Sequence, residues 1–107
     1  MTDDAITITD RERAIVGSVL RAFADRIDRV AVFGSRALGR ARPASDIDLA
    51  LYGSLDAAAL ARLWSLFDRS GLAVTTDLVH YEALGDVPLR RHIDRYAKTL
   101  FTHEDLA

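Results

Sequence analysis

The chain has 107 residues, of which 50% are hydrophobic and 28% charged, with a net charge of -2 and no cysteine. This length predicts one domain, residues 1–107, with one hydrophobic core. The slight acidic excess argues against an extended nucleic-acid surface, and the absence of cysteine excludes disulfides and thiolate metal sites. No apolar run approaches the roughly 20 residues of a membrane span, and the acidic N-terminus lacks the basic and apolar regions of a signal peptide. We therefore expect no membrane association and a cytoplasmic location.

The N-terminal third predicts a helix, a strand and a turn. Thr9 and Glu12 have capping-box spacing, and apolar residues at helical spacing then predict a helix over about 10–28. The apolar, β-branched run 29–33 predicts a short buried strand, which ends at the Gly34-Ser35 turn.

The central third predicts a second strand and a second long helix. Residues 36–40 fit one helical turn or a short helix, and the proline-containing segment 42–45 fits a loop. Residues 46–51 alternate strictly between polar and apolar side chains, which is typical of a strand. Ser54 can cap the next helix, which ends at Gly71.

The C-terminal third predicts a third strand over 74–79 and a last helix capped by Asp86, with Pro88 in its first turn. Residues 99–102 fit either the end of that helix or a short edge strand. The resulting order, α-β-(α)-β-α-β-α, predicts a small α/β (or α+β) domain in which helices flank a short mixed sheet. One face of so small a sheet is expected to stay open for a site or a partner.

Two carboxylates one residue apart carry most of the chemical information. Because alternate residues of a strand share a face, Asp46 and Asp48 are expected to project together toward solvent, with Ile47 and Leu49 in the core. Such carboxylates repel each other unless a cation lies between them, and hard oxygen ligands select Mg²⁺ or Mn²⁺. Two such ions can stabilise the attacking and leaving oxygens of a phosphoryl displacement.

Asp77 is the candidate third carboxylate, because it lies in the predicted third strand. If that strand pairs beside the second, Asp77 joins Asp46 and Asp48, ligates a metal and accepts the proton of an attacking hydroxyl. The alternative for Asp77 is a solvated strand residue.

The Gly34-Ser35 turn is a candidate phosphate site. A glycine at the end of a strand lets backbone amides approach a phosphate closely, and the hydroxyl of Ser35 adds a donor. A helix that starts near Arg36 would present further amides to an anion. Gly34, Ser35 and Arg36 are therefore the candidate nucleotide-binding residues, although Arg36 fits a solvated helix position equally well.

Other polar and aromatic residues are expected to be structural. Ser45 is expected to cap the turn before the second strand. Trp64 and Phe67 follow the apolar stripe of their helix and are expected in the core. The three histidines show no metal-ligand spacing and are expected to be surface or structural residues: His80, His92 and His103.

Together these residues resemble the signature of the minimal nucleotidyltransferases of the DNA polymerase beta-like superfamily. That signature is Gly-Ser, ten residues, Asp-x-Asp, and a third acid on a later strand; it is matched by Gly34, Ser35, Asp46, Asp48 and Asp77. The resemblance covers nearly the whole chain. It implies that the three aspartates bind two Mg²⁺ ions, with Mn²⁺ as the alternative, and that the Gly-Ser turn binds a nucleoside triphosphate. Relatives often carry a further acid after the third one, where this chain has His80-Tyr81.

The resemblance also implies a partner. Many minimal members are antitoxins encoded beside a helical HEPN-domain toxin, and some transfer AMP from ATP to a tyrosine hydroxyl of that toxin. The implied function is a protein adenylyltransferase that acts as the antitoxin of a type VII-like pair, in a heteromeric complex with its toxin. Two alternatives stay open: a non-catalytic module that neutralises its partner by contact, and a nucleotidyltransferase acting on small molecules or RNA ends.

Overall fold

The computed structural model describes residues 6–107, which form a four-stranded mixed sheet flanked by five helices. The strands are β1 (Ile27–Phe33), β2 (Ile47–Gly53), β3 (Thr76–His80) and β4 (Lys98–Thr102). Their order across the sheet is β3-β2-β1-β4, with β1 antiparallel to both of its neighbours and β2 parallel to β3. The helices are α1 (Asp10–Leu20), α2 (Ser35–Leu38), α3 (Ala57–Asp68), α4 (Pro88–Tyr96) and α5 (His103–Leu106). The prediction of a small mixed sheet flanked by helices is confirmed.

The first helix is shorter than its apolar pattern predicts. The capping box is confirmed, because the Thr9 hydroxyl accepts a hydrogen bond from the Glu12 amide and the Glu12 carboxylate accepts one from the Thr9 amide, each at 3.0 Å. The helix ends at Leu20, and a 3-10 segment with a non-helical Phe23 leads into β1. Ile27 thereby enters the sheet and is 1% exposed, so pairing with β2 overrides the helical pattern.

Several predicted boundaries and caps are wrong by a few residues. Asp56, and not Ser54, caps α3 by accepting a hydrogen bond from the Ala59 amide at 2.8 Å. The residue that caps α4 is Val87, without a side-chain bond, whereas Asp86 pairs with Arg91. The third strand covers 76–80 and not 74–79, and residues 98–102 form the edge strand β4. Pro88 begins α4 as predicted.

The larger hydrophobic core lies on one face of the sheet, under α1 and α3. β1 and β2 contribute side chains to it that are fully buried: Val30, Val32, Ile47, Leu49 and Leu51. Leu63 and Phe67 of α3 pack against them, but the expectation for Trp64 is wrong, because this side chain is 38% exposed.

The opposite face of the sheet is partly covered, contrary to the expectation of an open face. Here the small side chains of Ala31 and Ala50 let α4 approach closely, and its Ile93 packs on them with Phe33. Asp48 shares this face because it is the register partner of Phe33.

A stack of side chains fixes α4 at the end of the sheet away from Asp48. The rings of Tyr52 and Tyr81 stack with centroids 4.5 Å apart, and Arg29 lies 4.0 Å from the Tyr52 centroid. The Tyr81 hydroxyl donates a hydrogen bond to Asp94 of α4. No helix of the described part of the chain has the length and apolar character needed to cross a membrane.

Candidate active site

The strand pairing brings two of the three aspartates together at one end of the sheet, where β2 and β3 begin. β2 and β3 run parallel, and Asp48 and Asp77 are direct register partners. Neighbouring strands lie about 4.8 Å apart, so two side chains on the same face at the same register are near neighbours. The pairing of the second and third strands, which is the condition for a role of Asp77, is therefore present.

The Gly-Ser turn reaches the same end of the sheet because β1 runs antiparallel to β2. Phe33, the last residue of β1, pairs with Asp48, and Gly34 follows it directly. Gly34 has φ 71° and ψ −152°, a combination open essentially to glycine alone. A Cβ at this position would lie 2.3 Å from the Asp48 Oδ2 atom. Glycine is therefore required twice, by its backbone angles and by the carboxylate packed against it.

The helix after the turn is a single turn, Ser35–Leu38. The Gly34 carbonyl accepts hydrogen bonds from the amides of Ala37 and Leu38 at 3.0 and 3.1 Å. Since so short a helix has few aligned peptide dipoles, phosphate binding here would rest on the Gly34-Ser35 backbone and the Ser35 hydroxyl.

Arg36 lies in neither of the two settings that the sequence favours. Its side chain is 3% exposed and pairs with Glu12 at 2.8 Å. It also donates hydrogen bonds to the carbonyls of Ser45, at 2.7 Å, and Thr7, at 3.2 Å. The guanidinium would have to give up these hydrogen bonds to contact a nucleotide, whereas the Arg36 main chain could contact one without rearrangement. The nucleotide-binding role of Arg36 stays a prediction.

The same bonds position the segment that enters β2. The Ser45 hydroxyl accepts a hydrogen bond from the Arg42 amide at 2.9 Å, which confirms its expected role in the turn. The carbonyl of Ser45 is held by Arg36, one residue before Asp46. Arg36 therefore links α1, α2 and the chain that leads to the acidic pair.

Asp46 is placed differently from Asp48. β2 begins at Ile47, so Asp46 lies just outside the strand, and its carboxylate accepts a hydrogen bond from the Thr75 hydroxyl. Within residues 6–107, no three acidic or histidine side chains lie close enough to hold a metal ion as they stand.

The electrostatics of Asp48 nevertheless fit a cation. Burial raises the pKa of Asp48 above its ordinary value, the charges of Asp77 and Asp46 raise it further, and His92 partly opposes them. A divalent cation relieves this repulsion, and carboxylate oxygens are the ligands that Mg²⁺ and Mn²⁺ prefer. The donor set therefore fits the expected metal.

His92 is the residue near this site that the sequence does not reveal. Its ring lies edge-on to Phe33, with centroids 6.2 Å apart, and its charge acts on Asp48. The other two histidines are structural as expected, with ring nitrogens 2.8 Å from the Gly53 carbonyl for His80 and 3.0 Å from the Ala24 carbonyl for His103. The available signal for His92 is its helical spacing to Tyr96, but the sequence does not say which face of the sheet this helix covers.

A cavity of about 500 Å³ lies beside the turn but not over the acids. It is lined by Arg36, Glu12 and residues 6–9 and 41–43. It therefore adjoins the buried ion pair and contains none of the three aspartates in its wall.

Known proteins with similar sequences and structures share this arrangement of elements. The model of the family described as polymerase beta, nucleotidyltransferase matches residues 18–106. A toxin–antitoxin crystal structure with AMP-PNP is 26% identical, with a TM-score of 0.68 over 84% of this chain and 73% of that chain. A crystal structure of the MntA–HepT toxin–antitoxin is 23% identical, with a TM-score of 0.62 over 92% of this chain and 77% of that one, and shows the shared fold. No curated protein matches the chain. Since the family model spans most of the chain and all five signature residues, the protein belongs to the polymerase beta nucleotidyltransferase family.

Proposed function

We propose that this protein transfers AMP from ATP to a hydroxyl group of a partner HEPN-domain toxin and thereby acts as its antitoxin. The proposed acceptor is the hydroxyl of a tyrosine. The observation that carries the proposal is the register pairing of Asp48 and Asp77 directly against Gly34. The likeness to a toxin–antitoxin crystallised with AMP-PNP supports both the nucleotide and the kind of partner.

The positions and the exposure of the site residues suggest a different role for each of them. The Gly34 backbone and the Ser35 hydroxyl hold the triphosphate at the end of β1. Asp46, Asp48 and Asp77 are the residues that would hold two Mg²⁺ ions, which supply charge neutralisation at the phosphates. Asp48 is half-buried and forms the inner wall, whereas Asp77 is exposed on the edge strand β3.

Asp77 is therefore the acid that an approaching acceptor meets first. It accepts the proton of the acceptor hydroxyl, whose oxygen attacks the α-phosphorus of ATP. The bond from the α-phosphorus to the bridging oxygen breaks, pyrophosphate leaves, and AMP stays on the acceptor oxygen.

The test is transfer of label to the partner. The protein is mixed with the HEPN protein encoded beside it, [α-³²P]ATP and Mg²⁺, and the partner is examined for label. We expect Asp48→Asn and Asp77→Asn to lower the rate at least about 100-fold, the scale of losing an acid–base group. Asp68→Asn is the matched control, because Asp68 is an exposed acid at the end of α3. An unlabelled partner, or equal labelling by wild type and Asp48→Asn, would refute the proposal.

One observation favours the second candidate, a module that neutralises its partner by contact alone. The carboxylate of Asp46 accepts a hydrogen bond from the Thr75 hydroxyl, and no three acidic or histidine side chains of residues 6–107 are close enough to hold a metal ion. Growth rescue separates the candidates: Asp48→Asn/Asp77→Asn should fail to neutralise a co-expressed toxin if transfer is required. Full rescue by that double variant would establish neutralisation by contact.

A further inference from the structure

A row of rings lies beside the phosphate turn and is not used by the proposed reaction. Phe33 directly precedes Gly34, and its ring meets the ring of His92 edge-on at an interplanar angle of 75°. The His92 ring in turn lies 5.1 Å from that of Tyr96, one turn further along α4. We define Phe33, His92 and Tyr96 as the aromatic shelf.

The shelf is open to solvent at its outer end. Phe33 is buried, His92 is half-buried, and Tyr96 is 40% exposed, among the most exposed large hydrophobic side chains of the described residues. The Arg95 guanidinium lies over the Tyr96 ring, 5.5 Å from its centroid, and the side chain of Tyr96 is 40% exposed with this cation in place. Large aromatic side chains contribute most when they are covered, so an exposed ring beside a binding site indicates a ligand surface.

The topology puts the shelf at the acid end of the sheet, on the side away from the acceptor. α4 leads through Ala97 to Lys98, which pairs with Val32, next to Phe33. Asp77, which faces the acceptor, lies on β3 at the opposite edge of the sheet. A group that rests on the shelf therefore adjoins the triphosphate without blocking the acceptor's approach.

We infer that the aromatic shelf binds the base of the nucleoside triphosphate by stacking, with Tyr96 and His92 as the contact rings. This inference rests on the proposed function, because it assigns a place to the nucleoside whose phosphates lie on Gly34-Ser35. Stacking on an aromatic side chain is worth about 1–3 kcal/mol per base and tolerates different bases, because every base has a π-face. The shelf therefore contributes to nucleotide affinity and does not select among bases.

The test compares two ligands that share phosphates and differ in the base. Calorimetry in Mg²⁺ measures the binding of AMP-PNP and of inorganic tripolyphosphate to wild type, Tyr96→Ala and Tyr96→Phe. We expect Tyr96→Ala to weaken AMP-PNP binding about 5- to 100-fold, which corresponds to that stacking free energy at 1.4 kcal/mol per tenfold change. Tripolyphosphate binding should be unchanged, and Tyr96→Phe, which keeps the ring, should bind both ligands as wild type does.

A second variant, His92→Phe, keeps an aromatic ring at this position and should retain AMP-PNP binding, whereas His92→Ala should weaken it. Equal AMP-PNP affinity in wild type and Tyr96→Ala would overturn the inference and leave the proposed transfer intact. Equal weakening of both ligands would overturn it as well, because the rings would then act through the phosphate site. Loss of transfer to the partner at unchanged AMP-PNP affinity would assign the shelf to the acceptor and refute its role as a base site. Wild type that binds neither ligand would count against the proposed function itself.

Discussion

Replacing Arg36 by alanine is expected to destabilise the protein by about 3 kcal/mol. The variant leaves the Glu12 carboxylate and the carbonyls of Ser45 and Thr7 without their guanidinium donor. Breaking a buried ion pair by removing one partner costs about 3–5 kcal/mol. Because Glu12 is 15% exposed and regains some hydration, the lower end of that range applies.

The expected loss is large for a domain of this size. Stabilities of about 5–15 kcal/mol are typical, and 1 kcal/mol shifts Tm by about 4–8 °C for a domain of about 100 residues. The assay is urea unfolding followed by circular dichroism, with the same slope expected for both proteins. Arg36→Lys keeps the charge but not the forked geometry, so it should lie between wild type and Arg36→Ala.

A double-mutant cycle with Glu12→Gln separates the ion pair from the other hydrogen bonds. Glutamine can keep the capping box with Thr9, so the coupling free energy of residues 12 and 36 reports the pair itself. We expect a coupling of about 1–3 kcal/mol. A loss of unfolding free energy below about 1 kcal/mol in Arg36→Ala, or a coupling free energy near zero, would refute the stabilising role of the buried pair of Arg36 and Glu12.

The pair also predicts a pH dependence. Burial raises the pKa of Glu12, but hydrogen bonds from the Thr9 amide and from Arg36 outweigh it, so the pKa of Glu12 is lowered from its ordinary value. The associated stability is fully present above the ordinary pKa of a glutamate and is lost as the pH falls through the lower folded pKa of Glu12. The difference in unfolding free energy between wild type and Arg36→Ala should therefore shrink in acid, and a constant difference would contradict this cause.

Three further predictions concern the site and its support. Asp48→Asn should raise Tm in the presence of EDTA, because the pKa of Asp48 is raised first by burial of its charge and then by repulsion from Asp77 and Asp46, and both destabilise the folded protein above that pKa and fade as the pH falls. Mg²⁺ should raise Tm in wild type but not in this variant, and the opposite result in thermal melts would refute a metal site here. Gly34→Ala should cost about 2–5 kcal/mol in denaturant unfolding, from backbone strain and the clash with Asp48, and a stability equal to wild type would show that the turn can relax. Tyr81→Phe removes the hydrogen bond to Asp94 and should cost about 0.5–1.5 kcal/mol while nucleotide affinity is kept, since Tyr81 lies at the far end of the sheet; a loss of affinity would indicate that the placement of α4 controls the site.

Local sequence patterns specify the parts of this protein that depend on residues close together in the chain. The capping box of Thr9 and Glu12, the alternation along β2 and the Gly-Ser turn are each contained within a few residues. They suffice to predict the mixed sheet and the signature residues, because hydrophobic periodicity and turn chemistry act over such short distances. The three aspartates and the turn were thus identifiable before their positions were known.

Which of these segments pack and pair with one another is visible only in the tertiary structure. Arg36 pairs with Glu12, 24 positions away along the chain, and is buried. Its neighbours in the sequence instead suggest a contact with solvent or with a phosphate. The choice of sheet face for α4, which brings His92 near Asp48, follows from the small Ala31 and Ala50 beneath Ile93. Pairings between distant segments are set by which surfaces bury the most apolar area together, and no local pattern contains that information. Asp48 gains a neighbouring carboxylate only because β3 places Asp77 beside it in register.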